Sequence, residues 1–448
     1  MELGAWSIIK QTPSLLGLIP MLLYIIIAFR KDSNALLNVV IAVVLGFLMC
    51  GCNASTFGAA FGSALSSVMG QVGLLIMLGA ALGNLLTEAG VSHTICKWII
   101  NVLGIRTAKS GMVTLMVCEF LLSTCIGSMT SAAAIAMPIM IPLVAAVGLT
   151  PVAVCVGTLL SGLAGMLLAP FAAPNIMAME LTGLSYAEYL LYGAGPYLVF
   201  MIISGYFIAM WTQKKSIGSG ELYEISETEK AGTLEVTGRM KFATLAFLVA
   251  FFGCIAYAII FKQGMAFTIW VMCFLCAVVA IAAKLGVKKS MAAVESGMSR
   301  TATIFVTCVF YQLLMVIMDT TGAFNALGDV FVNMLGGSVS SKSVVLLLGS
   351  FIGAFGVNGG ASAQMQIIHE MFLPMVQSTG LSMRTWSIAL VAGSYVTSVI
   401  YPSVTILAPM GLCRTNDFKR TMTAMWISGG LCLVLVVIYS FVMPAIVG

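Results

Sequence analysis

The sequence predicts an all-α polytopic membrane protein of two inverted-topology repeats, each with a re-entrant hairpin and a broken transmembrane helix, about 10 spans plus 2 hairpins. Composition, recurrent apolar runs and an internal repeat predict it. Of the 448 residues, 60% are hydrophobic and 8% charged. A soluble domain carries roughly a quarter charged residues, because its surface faces water. Apolar runs such as Leu15–Phe29, Leu36–Cys52, Leu190–Trp211, Phe242–Phe261 and Met422–Met443 recur from end to end. Each reaches or approaches the length that crosses a ~30 Å hydrocarbon core at ~1.5 Å per residue. The runs are continuous, not alternating, so the backbone satisfies its hydrogen bonds in lipid as helices and not as a barrel.

Taken in order, the expected spans are 12–29, 35–52, 71–89, 151–180, 186–211, 242–261, 266–285, 303–320, 384–409 and 422–446. The first run ends in Arg30-Lys31 and not in a small-residue cleavage site, so it is expected to be a retained span. Twelve cysteines lie scattered, mostly in apolar runs. Cys273 and Cys276 have metal-like spacing but no second pair and no nearby histidine, so they are expected to be small packing residues.

Sliding the sequence by 232 positions aligns Gly90 with Gly322, Gly104 with Gly336, Gly127 with Gly359, Pro142 with Pro374, Gly148 with Gly380 and Pro170 with Pro402. Asn101 also meets Asn333, and Leu149 meets Leu381, without a gap in the register. Chance identities in apolar sequence favour Leu, Val and Ala, so Gly and Pro matches point to duplication. The expected division is a first repeat over 1–211, a cytoplasmic linker over 212–240 with five glutamates, and a second repeat over 241–448.

Basic residues stay on the cytoplasmic side of a membrane protein. With Arg30 and Lys31 inside, alternation leaves only Lys10, Lys262, Lys342 and Arg384 of the 21 basic residues outside, and both termini outside. This balance holds only if 111–147 and 343–379 each enter and leave by one face, as re-entrant hairpins. Their expected turns are Gly127–Ser131 and Gly356–Ser362. The amphipathic arms before them agree with the inversion: 91–109 carries three cations and 323–341 none.

Inverted-repeat membrane proteins of this kind form sites at the repeat interface from broken helices, whose N-termini attract anions and whose freed carbonyls suit cations. Four breaks occur in symmetric pairs: the two hairpin tips, and the broken helices 151–180 (at Leu168–Asn175) and 384–409 (at Ile400–Pro409). Candidate binding residues are Ser128, Thr130 and Ser131 at one tip, Asn358, Ser362 and Gln364 at the other, and Asn175, Ser403 and Thr405 at the broken spans. Their hydroxyls and amides could ligate Na⁺ at the hairpin tips or bond a carboxylate. Ionisable residues inside a membrane are functional candidates, and Glu119, His369 and Glu370 are the proton-coupling candidates. For Glu119 a structural hydrogen bond is an equal reading. Glu88, Asp319 and Glu180 are expected at the interfaces, and His93 in solvent.

The stretch Gly62–Gly70 through Leu74–Gly79, Gly83 and Gly90 resembles the gluconate permease family, as does Val357–Ala363 the glycine-serine-alanine-threonine tip of that family. The chain departs from it at Ser123–Gly127, where the family carries a glutamate, and at Ala169–Asn175, where it carries a histidine between prolines. The wider ion transporter superfamily, with its divalent-anion/sodium symporters and citrate carriers, shares the architecture. The resemblance implies a permease in a bacterial inner (plasma) membrane that moves a small carboxylate or sugar acid. It also implies H⁺ or Na⁺ coupling, elevator-type alternating access and, often, a homodimer in membrane lipid. The alternative is a Na⁺/H⁺ antiporter with Glu119 and Glu370 as its ion site. No nucleophile triad, metal cluster or phosphate loop is present, so neither an enzyme, a cofactor nor a nucleic-acid partner is expected.

Overall fold

The computed structural model describes residues 3–28, 34–218, 222–223, 236–261, 263–334, 341–355 and 361–447. Among these residues all regular structure is helical. The chain opens with α1 (Ile19–Ala28), α2 (Ala35–Met49), α3 (Ala54–Ser66), α4 (Val68–Glu88) and α5 (Val91–Leu103). Next come α6 (Ala108–Ile126), α7 (Met129–Ala146), α8 (Pro151–Leu168) and α9 (Ala173–Thr182). A short α10 (Tyr186–Glu188) and a π-helical turn over Tyr189–Ala194 lead into α11 (Gly195–Ser216). The second half holds α12 (Gly238–Ile260), α13 (Met265–Ala282), α14 (Val287–Thr321), α15 (Ala323–Met334) and α16 (Lys342–Ala354). It closes with α17 (Ala361–Thr379), α18 (Met383–Ile400), α19 (Val404–Leu412) and α20 (Phe418–Ile446). Nine helices among the described residues are long and apolar enough to cross a membrane, or ten with α18 and α19 counted as one span bent by 54°. Phe242, Leu245, Val249 and Phe252 line an exposed apolar face of α12, as a lipid-facing helix requires. The chain is a multi-pass integral membrane protein.

Helix starts are chemically marked. Asn34, Asn53, Ser67, Thr107, Ser128, Thr237 and Asp417 each accept a backbone N–H from the first turn they precede. Such caps stabilise a helix by about 1 kcal/mol in water.

Some helix bounds match at the 232-residue offset. Helices α8 and α18 begin at 151 and 383 and end at 168 and 400, the same offset at both ends. The amphipathic α5 and α15 each follow a left-handed glycine, Gly90 at φ 70° and Gly322 at φ 63°. Gly148 and Gly380, at φ 77° and 64°, repeat the relationship before α8 and α18.

Three features differ from the sequence expectation. Helix α3 was not foreseen, because its Ala, Gly and Ser carry no long apolar run. Helix α14 runs 35 residues without interruption, so the expected loop after 285 is helical from Val287. The first hairpin turns over Gly127 and Ser128 alone, with Thr130 and Ser131 already in the first turn of α7. Of the expected linker 212–240 only the two ends and residues 222–223 are described, and the second tip lies largely outside the described residues.

The helices gather into two bodies. In the first, α4 and α14 pack along their lengths with α1–α3, α12 and α13 around them. A Cβ on Gly297 of α14 would sit 2.5 Å from the Ala80 carbonyl of α4, and Asn84 Nδ2 donates to Ala293 O at 2.7 Å. In the second body, α6–α9, α11 and α16–α20 pack together. Here small residues bring backbones into contact, as in membrane helix pairs generally: a Cβ on Gly393 of α18 would stand 3.0 Å from Gly353 Cα of α16. The short half-helices pack on elements distant in the chain: α9 on α17 and α18, and α19 on α7 and α8.

Candidate functional site

The first broken helix stops at Leu168 and restarts at Ala173. The hairpin tip docks at this gap, with a Cβ on Gly127 only 3.6 Å from Ala172 Cα. Thr124 Oγ1 donates to Gly165 O at 3.1 Å, which ties the end of α6 to α8. Helices α6 and α7, expected to be the arms of a re-entrant hairpin, have 19 and 18 residues and are each long and apolar enough to cross a membrane.

A cavity of about 290 Å³ opens here, at the small end of ligand pockets. One wall is the second body: Gly127, Ser128 and Ser131, then Ala172–Pro174, then Ala361–Ala363. The other wall is the first body, through Leu75, Ile76, Gly79 and Ala80 of α4 and Thr301, Thr307, Cys308 and Tyr311 of α14. Three helices therefore begin at its edge, α7, α9 and α17. Among the described residues no lining side chain is charged. Helix N-termini carry partial positive charge and unsatisfied N–H groups, so the arrangement favours an anion.

A larger space of about 880 Å³ shares Ala80, Ser131 and Thr301 with the cavity and runs between α4, α7 and α14 to Glu88, His93 and Arg300. On the opposite side the two bodies are in contact. The Phe171 ring meets Phe251 of α12 edge-on with centroids 5.8 Å apart, and Glu180 Oε1 accepts the Met265 N–H at 3.2 Å at the start of α13.

The structure brings together Ser128, Ser131 and Ser362 in the cavity, with Thr130 facing the adjoining space. Ser128 Oγ donates to Ser131 Oγ at 3.0 Å. The other candidates stand elsewhere. Asn175 is buried within its own break, bonded to backbone carbonyls of α8. Gln364 Nε2 donates to Gly353 O and, at 2.7 Å, to Thr397 Oγ1, which closes the C-terminal end of α16. Ser403 and Thr405 begin α19, away from the cavity wall. Asn358 lies outside the described residues.

The ionisable candidates are dispersed. Glu119 is fully buried; its Oε1 accepts from Ser123 Oγ at 3.2 Å and faces Gly162, and its Oε2 has no partner among the described residues. His369 Nδ1 accepts from Trp386 Nε1 at 3.2 Å, which joins α17 to α18. Glu370 lies toward Asp319 of α14. Glu119 and Glu370 thus sit in separate places, and among the described residues no group of three His, Cys, Asp or Glu could hold a metal ion.

Sequence reasoning missed the α14 wall. Thr301, Ile304, Thr307, Cys308 and Tyr311 recur at three- and four-residue spacing, the signature of one helix face. Two hydroxyls and a phenol on that face were the available signal.

A family model described as "Citrate transporter" matches residues 21–295. Among solved structures, the Alcanivorax borkumensis YdaH transporter superposes with a TM-score of 0.54 at 16% identity, over 88% of this chain and 89% of its own. Neisseria gonorrhoeae MtrF, whose structure is described as illuminating a class of antimetabolite efflux pumps, gives 0.57 at 16% identity, over 99% and 97%. At that identity the likeness carries the fold. No match was found among curated proteins.

Proposed function

Because the chain belongs to the citrate transporter family, we propose that it is a secondary active transporter of a small organic anion. A carboxylate or sugar acid is carried with H⁺ or Na⁺ by elevator-type movement of the second body along the first. The observation that carries this reading is the uncharged cavity between the two bodies, edged by the N-termini of α7, α9 and α17. Fixed backbone dipoles hold a carboxylate without a cationic side chain that release would leave buried and unpaired. Ser131 and Ser362 add hydroxyls that recognise a polar anion. The Gly62–Gly90 likeness to gluconate permeases supports a sugar acid as cargo; the citrate transporter match supports a carboxylate.

The open space ends near His93 of α5, which also carries Lys97, whereas Phe171, Phe251, Glu180 and Met265 hold the other side together. By the distribution of basic residues this is the cytoplasm-facing state, with the two repeats inverted in a plasma membrane and both termini outside. The antiporter reading needs Glu119 and Glu370 in one ion site, and their separation weighs against it.

The test is thermal unfolding of the purified protein against mono-, di- and tricarboxylates and sugar acids, with and without Na⁺, followed by liposome uptake and efflux of any stabilising acid. Stabilisation by one acid, with accumulation driven by an ion gradient, is expected. No response to any acid, with stabilisation by Na⁺ alone that varies with pH, supports the antiporter. Loading liposomes from either side reads the direction, including efflux of the kind named for MtrF.

A further inference from the structure

We propose that the side-chain amide of Asn175 is a tethered substitute for a cation at the first helix break, so that this break takes no coupling ion. The inference rests on the reading of the chain as an ion-coupled transporter.

The last four carbonyls of a helix lack their usual intrahelical partners; at the end of α8 Gly165 O is taken by Ala169 N–H and Thr124 Oγ1, while Met166 O, which also accepts from Ala169 N–H at 3.2 Å, and Leu167 O face the Asn175 amide. Asn175 Nδ2 lies 2.7 Å from Met166 O, 3.1 Å from Leu167 O and 2.7 Å from Ala169 O. Leu168 O is taken by the Tyr186 hydroxyl at 2.5 Å. On the other side of the amide, Tyr189 OH donates to Asn175 Oδ1 at 2.7 Å. The three carbonyls fix which way the amide faces, because only its nitrogen end can donate to them. Asn175 is 2% exposed and Tyr189 0%, so water does not compete.

A nitrogen with two hydrogens among three carbonyl oxygens places partial positive charge at the negative end of a half-helix. Broken-helix transporters hold a coupling cation in such surroundings, with unwound carbonyls as ligands. Here the side chain supplies the charge and cannot leave. The duplicated register sharpens the point: position 175 corresponds to Leu407, so the second break has no such amide. At that break Ser403 Oγ is buried without a hydrogen-bond partner among the described residues. The two repeats share a scaffold and differ in which break is already satisfied.

The experiment uses purified full-length protein and follows its melting temperature in NaCl, KCl or choline chloride at constant ionic strength. N175A removes the amide and leaves the carbonyls, so it is expected to gain a saturable stabilisation by Na⁺ or K⁺ over choline that the wild type lacks. N175D keeps the shape but cannot donate as a carboxylate. It is expected to need a monovalent cation at alkaline pH and to be rescued by acid in choline. Y189F frees Oδ1 while leaving the nitrogen in place, and any cation response of the wild type is expected to survive it. The proposal is overturned if Asn175→Ala and Asn175→Asp respond to cations as the wild type does. It is overturned equally if the wild type has a saturable cation response that either variant or Tyr189→Phe abolishes, since Asn175 would then be a ligand. None of these readouts requires substrate, so their failure leaves the carboxylate reading intact, and a failed carboxylate screen leaves them interpretable.

Discussion

Gly165 of α8 and Phe120 of α6 meet backbone to backbone: a Cβ on Gly165 would stand 2.3 Å from the Phe120 carbonyl oxygen. No rotamer change relieves such a contact, so the hairpin arm and the broken helix must separate to admit a methyl group. G165A is therefore expected to lower the melting temperature, with about 1–3 kcal/mol lost to overpacking, and to reduce uptake because the tip is displaced from the gap. G253A, where nothing lies within 4 Å, is the matched control and should leave both measurements unchanged.

Gly127 makes the hairpin turn at φ 72°, and a Cβ there would meet Ala172 only at the ordinary van der Waals distance of 3.6 Å, so backbone conformation more than space is what a side chain disturbs. A left-handed conformation costs an L-residue roughly 1–2 kcal/mol, and Asn tolerates it better than Ala. Thermal unfolding should rank Gly above Asn above Ala at this position. Equal stability of all three would mean that the turn is not held in the conformation described.

Ser131 and Ser362 face the cavity, whereas Thr405 does not. A hydrogen bond contributes about 0.5–1.5 kcal/mol net, so S131A and S362A are each expected to raise KM roughly 3- to 10-fold. T405A should leave KM at the wild-type value. Concentration-dependent uptake in liposomes separates these outcomes, and a normal KM in both serine variants would place the substrate elsewhere.

Glu119 has one carboxylate oxygen bonded to Ser123 and the other without a partner among the described residues. E119Q preserves the shape and the Ser123 contact but cannot exchange a proton. If Glu119 is the proton-coupling group, the variant exchanges labelled substrate across liposomes at equilibrium and no longer accumulates it on a proton gradient. Undiminished accumulation in E119Q would leave Glu119 with the structural role alone.

Phe171 and Phe251 belong to different bodies and their rings meet edge-on. If the second body slides along the first during transport, joining F171C to F251C with a bifunctional thiol reagent blocks that movement, and uptake should fall until a cleavable linker is reduced. Each single variant treated alike should retain uptake, since the native cysteines are common to all samples.

Much of the fold was legible because membrane folding leaves few local choices. A continuous apolar run in lipid must be helical, and a Gly or Pro repeated at one offset marks the same turn twice. Gly90 with Gly322, and the paired ends of α8 and α18, follow from that. What local pattern could not carry was amphiphilic or small-residue sequence whose partner is distant. Helix α3 has no apolar run, and the start of α14 is too polar to read as part of a span until α4 packs against it.

The candidate site divides along the same line. Polarity at a break identified Ser128, Ser131 and Ser362, but the same signal selected Asn175 and Gln364, whose amides close helix ends within the second body. A polar side chain beside a break can meet either a ligand or the carbonyls that the break itself frees, and sequence spacing does not distinguish them.

By itself the sequence determined that the chain crosses a membrane many times and that helices are interrupted near 127 and 169, because burial in lipid and backbone hydrogen bonding act locally. Only the tertiary structure decided that one hairpin tip faces α14 across a cavity and that Asn175 turns inward to its own helix. Those outcomes depend on which surfaces meet, and contacts between residues far apart in the chain leave no periodic trace in it.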